Sequence, residues 1–169
     1  MTPRTELVAV EFYQGYIRNI KEDDFRKALE KNTRQFRKFL KKIPAKKYGY
    51  TYAEGKWTLL EVLQHIIDAE RVFAYRALRF ARKDTVALPG FDESAWAVNS
   101  NAASRSWRDL EEEFRALRKS TELLFGSLND EQLKFTGTAS GNPINALALG
   151  FIIPGHVIHH MRIIKERYL

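Results

Sequence analysis

Apolar residues recur at helical spacing through four long stretches of this chain, and no stretch shows the convincing alternation of a half-buried strand. That periodicity predicts an all-α protein. The first helix covers about residues 23–42, with Phe25, Leu29, Phe36, Leu40 and Ile43 in one stripe. It stops at Pro44, which cannot donate the next backbone bond and restricts the residue before it. The second opens at Thr58, where Thr58 and Glu61 form a capping box, and runs to about Arg82. Ser106 and Asp109 repeat that logic for the third, whose Trp107, Leu110, Phe114, Leu117 and Leu124 precede Gly126. Asn142 and Pro143 read as N-cap and first residue of the fourth. That helix is expected to reach almost to the C-terminus, kinked by Pro154.

The connection between the second and third helices, residues 83–105, is long and carries Leu88, Pro89, Phe91, Trp96 and Val98. At ~3.3 Å per residue it can span a helix several times over, so the helices it joins can run parallel. The expected architecture is a four-helix bundle, up-down-down-up. A length of 169 residues with 44% hydrophobic content fits one domain over residues 1–169. Residues 1–20, with Phe12, Tyr13 and Tyr16, read either as a short helix or as an arm packed across the bundle. With no run of about 18 uncharged apolar residues and no secretory pattern at the start, the expectation is a cytoplasmic protein with no membrane partner.

The net charge is +7, and residues 21–47 account for all of it, with eleven Lys/Arg against four Asp/Glu. These cations fall opposite the apolar stripe of the first helix, and no aromatic residue interleaves with them as a base-stacking platform requires. A solvated face, not a specific nucleic-acid surface, is the expectation. The absence of cysteine excludes disulfides, thiolate ligands and a cysteine nucleophile. Histidine and carboxylate are left as metal ligands.

Three histidines carry the chemistry. His156 and His160, four residues apart, project from one helical face with Cβ atoms ~6 Å apart, so one ion can accept a nitrogen from each. His65, amid Val62, Ile66, Ala69 and Val72, offers a third ligand from another helix. Three imidazoles leave a coordination position open, as a catalytic metal requires. The competing reading makes each a hydrogen-bonded core histidine. His159 can stand in for His160, although the i, i+4 geometry favours His160.

No GxSxG elbow, P-loop or GxGxxG turn after a strand is present. Residues 136–141, Thr-Gly-Thr-Ala-Ser-Gly, read as a flexible turn feeding the fourth helix, whose amides can also bind an anion. Asp68, three residues after His65, is the candidate to orient a ligand or move a proton. Glu70 reads as an exposed helix charge. Tyr52, Phe91 and Trp96 are candidate substrate contacts, though large aromatics on such segments also seal cores.

The stretch 55–71 (Gly-Lys-Trp-Thr-Leu-Leu-Glu-Val-Leu-Gln-His-Ile-Ile-Asp-Ala-Glu-Arg), the run Pro89-Gly90-Phe91-Asp92 and the run Gly155-His156-Val157-Ile158-His159-His160 together resemble the DinB-like (DinB/YfiT) metalloprotein superfamily. The likeness covers roughly residues 50–168. It implies an up-down-down-up four-helix bundle, a divalent metal on His65, His156 and His160, and frequent homodimers. It implies a structural role for Trp57. Members with known activity use zinc to activate a low-molecular-weight thiol for transfer or isomerisation, and others are described as metal-dependent hydrolases. Met161-Arg162-Ile163 departs from the more polar run of many relatives.

Two functional classes follow. In the first, a divalent metal, zinc first and nickel or iron as alternatives, activates a low-molecular-weight thiol for S-transfer to a small-molecule substrate, or activates water for hydrolysis. In the second, the chain is a non-catalytic binding module and its histidines are packing residues.

Overall fold

The computed structural model describes residues 2–169. Seven α-helices follow in chain order: α1 (Glu11–Ile17), α2 (Phe25–Leu40), α3 (Leu59–Ala81), α4 (Glu93–Asn99), α5 (Trp107–Gly126), α6 (Asp130–Lys134) and α7 (Ala146–Ile163). Two short strands, β1 (Thr136–Ala139) and β2 (Asn142–Asn145), form an antiparallel hairpin before α7, and a wider π-helical turn, Ile164–Tyr168, extends its end.

The side chains that meet between helices set the topology. Phe25 packs on Phe151 and Lys165 lies over Phe39, so α2 and α7 run parallel. Arg26 donates to the Leu128 carbonyl, Thr33 to Glu122, and Phe36 meets Phe114, so α2 and α5 are antiparallel. Arg105 reaches back to Gln64, Arg71 to Glu113 and Gln132 to Ala81, which makes α3 and α5 parallel. His65 meets His160 and Phe73 meets His156, an antiparallel α3 and α7. The bundle is therefore up-down-down-up, with α3 joined to α5 through the long crossover. The four-helix expectation is met.

Local chemistry explains the boundaries. Thr58 and Glu61 make the capping box of α3, and Ser106 caps α5 through the Asp109 amide. Asp24 caps α2 and the helix ends at Leu40, a little inside the expected span. The start of α7 differs from expectation. Its cap is Asn145, which accepts from the Ala148 amide, while Asn142 and Pro143 belong to β2. The expected flexible turn at 136–141 is instead β1 and the hairpin bend. Ser140 and Gly141 both have positive φ, 52° and 75°, as a two-residue hairpin loop requires. Pro154 lies inside α7, which runs on without a break.

Two apolar clusters stack along the bundle. One gathers Phe25, Leu29, Phe73, Phe80, Phe125 and Phe151, and the other Phe36, Leu40, Leu63, Ile66, Phe114 and Val157. Where they meet, Arg118 and Glu70 form a buried bidentate ion pair, 0% and 2% exposed, and the Arg118 guanidinium also donates to Asn32. Glu70 is thus a core charge and not the exposed one expected, because Arg118 reaches it from α5.

The rod Ala146–Tyr168 is long and apolar enough by composition to cross a membrane, and 72% of its apolar window is buried within the bundle. Every residue from Ala146 to Val157 is buried, which accounts for that composition. Among residues 2–20, α1 forms a short helix and the segment before it packs along the bundle. Arg4 donates to the carbonyls of Ile17, Ile20 and Glu22, Asn145 bonds Val8 and Glu6, and α1 lies across α7.

Candidate metal centre

Helices α3 and α7 bring His65, His156 and His160 together. His156 Nε2 stands 3.1 Å from His65 Nε2 and 3.0 Å from His160 Nε2. Each residue is less than a tenth exposed. His159, one step round the helix, lies against Tyr16 instead, with ring centroids 5.4 Å apart. The i, i+4 pair is the one that converges with His65.

Three nitrogens facing one point are not a self-sufficient hydrogen-bond arrangement. A neutral imidazole Nε2 either donates one proton or offers one lone pair, and His156 Nε2 has two such neighbours. Protonation would add like charges to a buried cluster. Burial holds the His65 pKa down to about 4, with His159 adding to the shift. Burial, then the neighbouring imidazoles, holds His156 and His160 well below the ordinary histidine range. The set is therefore neutral near pH 7, the form in which imidazole ligates. Nitrogens ~2.0–2.1 Å from a shared divalent ion stand roughly 3 Å apart, as the two pairs at His156 do, and all three lie within 4.8 Å of one another.

Aromatic rings wall the cluster. Trp57 packs 4.8 Å from His65, Phe73 5.9 Å from His156, and Tyr16 5.3 Å from His156. Gly155 permits the last contact: a Cβ there would come 2.2 Å from the Tyr16 carbonyl oxygen, so α1 can cross α7 at this height only over glycine. On the His160 side a cavity of about 280 Å³ is lined by Tyr52, Trp57, Ser94, His160, Ile163 and Tyr168. The Tyr168 hydroxyl donates to the Trp57 carbonyl and pins the chain end beside it.

Of the remaining sequence candidates, Tyr52 lines this cavity. Asp68 is half-buried, accepting from Gln64 at 2.9 Å with Arg71 at 3.5 Å, and burial raises its pKa. Phe91 and Trp96 pack together with centroids 4.6 Å apart and line a second cavity. Tyr16, Glu93 and Ser94 were not anticipated. Asp92 caps α4 through the amides of Ser94 and Ala95, which sets the first turn of α4 near the centre. Burial, then Glu93, pushes the Tyr16 pKa up to about 12, and burial raises that of Glu93. The Asp-Glu-Ser cap was the available signal, but its position over the histidines is a tertiary fact.

The family model of the DinB superfamily matches residues 28–164. The chain belongs to the DinB superfamily. Among solved structures it is similar to YfiT from Bacillus subtilis, at 20% identity and TM-score 0.76 over 87% of this chain and 86% of that one. That protein is described as "a probable metal-dependent hydrolase with an unusual four-helix bundle topology". No curated protein matches this DinB-superfamily chain.

Proposed function

We propose that this protein is a metal-dependent enzyme acting on a small molecule, with one divalent ion held by His65, His156 and His160. Zinc is the first choice for three imidazoles, with nickel or iron as alternatives. The observation that carries the reading is the convergence of three buried, neutral Nε2 atoms beside a cavity that reaches His160. A divalent ion bound by these three imidazoles would supply a Lewis acid that lowers the pKa of a water or thiol. Tyr52, Trp57 and Ser94 border that approach, and the rings of Phe73 and Tyr16 pack against His156 away from it.

Hydrolysis draws support from the described activity of the similar fold, YfiT. It requires a proton acceptor, and two carboxylates with raised pKa values are candidates. Asp68 is the one on α3, and Glu93 is the one on the first turn of α4. Thiol S-transfer is the second reading. The bonding of Asp68 to Gln64 and Arg71 leaves hydrolysis to rely on Glu93, whereas a thiol of ordinary pKa ~8.5 would lose its proton to solvent beside a divalent cation without either carboxylate. A cytoplasmic homodimer belongs to the same reading, and light scattering after gel filtration is expected to give twice the chain mass.

Metal content of untagged protein tests the proposal. One equivalent per chain is expected, falling below a tenth in His65→Ala and His156→Ala. Full content in those variants would overturn it. Loaded protein is then assayed on simple esters and amides, and on low-molecular-weight thiols with an electrophile. Turnover in one class identifies the reaction, and inactivity on both counts against an enzyme.

A further inference from the structure

A second cavity of about 370 Å³, which shares no lining residue with the His160 cavity, has a lining that includes Val72, Tyr75, Arg76, Leu88, Phe91 and Trp96. Its walls are largely apolar, and Tyr75 and Trp96 are 52% and 44% exposed. Arg76 is different, being 2% exposed. Its partners among the described residues are all neutral: the Pro89 carbonyl and the Ser140 hydroxyl, each 2.9 Å from Nη2, and the Tyr13 hydroxyl, 3.5 Å from Nη1.

Burying a guanidinium costs several kcal/mol unless an opposite charge compensates it, and two other charged residues line this cavity. Asp68 sits beside Arg71, and Arg71 also binds Glu113. Those charges answer one another. Asp68 is eight residues before Arg76 on α3, so roughly 12 Å separates them along the axis. Arg76 therefore keeps an unanswered positive charge beside an aromatic wall, with three of its five N–H donors engaged.

We infer that this cavity is a binding site for an organic anion, a carboxylate carried on a flat apolar body, with the carboxylate on Arg76 and the body against Phe91 and Trp96. Charge and shape both argue for that ligand. The guanidinium matches a carboxylate, and the paired rings match a planar apolar group. No histidine lines the cavity, so the inference does not need the metal; the cavity borders the proposed centre only through Asp68, whose carboxylate Gln64 and Arg71 already engage.

Calorimetric titration with 2-naphthoate and with 2-naphthamide, alike in shape and different in charge, tests the site. The wild-type protein is expected to bind one naphthoate at least tenfold more tightly than the amide. Arg76→Met is expected to bring the two to parity, and Trp96→Ala to weaken both. If Arg76→Met does not fold, the wild-type comparison and Trp96→Ala decide. Equal wild-type affinities, or unchanged naphthoate binding in Trp96→Ala, would overturn the inference. The titrations are repeated on chelated protein, where unchanged binding is expected whatever becomes of the metal proposal. Loss of naphthoate binding there would overturn the independence of the two sites.

Discussion

At the residue scale, the buried polar groups carry disproportionate weight, because each must find its partner on another helix. Arg118 binds Glu70 of α3 and Asn32 of α2 from its place on α5, at the height where the two apolar clusters meet. Arg118→Met leaves Glu70 charged and buried, and is expected to cost about 3–5 kcal/mol in denaturant unfolding. His65 makes a pH prediction for the metal-free protein. Its folded pKa of about 4 lies below the ordinary ~6.5, so the unfolded chain takes up the proton first. Stability is then full above pH 6.5 and falls as pH drops toward 4, by up to about 3 kcal/mol. Urea midpoints across that range check it, and His65→Phe is expected to remove only the His65 part of the loss, because His156 and His160, also held well below the ordinary range, keep the rest.

At the element scale, Asn145 joins three pieces. It ends β2, caps α7 through the Ala148 amide, and bonds the N-terminal arm at Val8 and Glu6. Asn145→Ala is expected to cost about 1–2 kcal/mol and to speed amide exchange in residues 6–9, as measured by hydrogen exchange. The caps at Thr58 and Ser106 were legible because each precedes an amphipathic stripe. Asn145 was not, because Asn142-Pro143 carries the stronger local signal for a helix start. The Ser140-Gly141 bend outcompetes it: four-residue strands with few apolar side chains show little alternation, and only their pairing reveals them.

At the scale of the molecule, a metal that binds only the folded bundle adds its binding free energy to stability. With free metal at a hundred times its dissociation constant, chelation is expected to lower Tm by about 5–10 °C. Calorimetry with and without chelator measures it, and His156→Ala is expected to be insensitive. The sequence by itself determined what depends on neighbours along the chain: helical periodicity, the caps at Thr58 and Ser106, and the shared face of His156 and His160. The length of the 83–105 crossover made parallel α3 and α5 possible. Only the tertiary structure decided what depends on which helices meet. It buried Glu70 against Arg118, brought His160 and not His159 into the cluster with His65 and His156, and left Arg76 facing a cavity. Local spacing governs which way a side chain leaves its helix, whereas the packing of distant segments governs what it finds there.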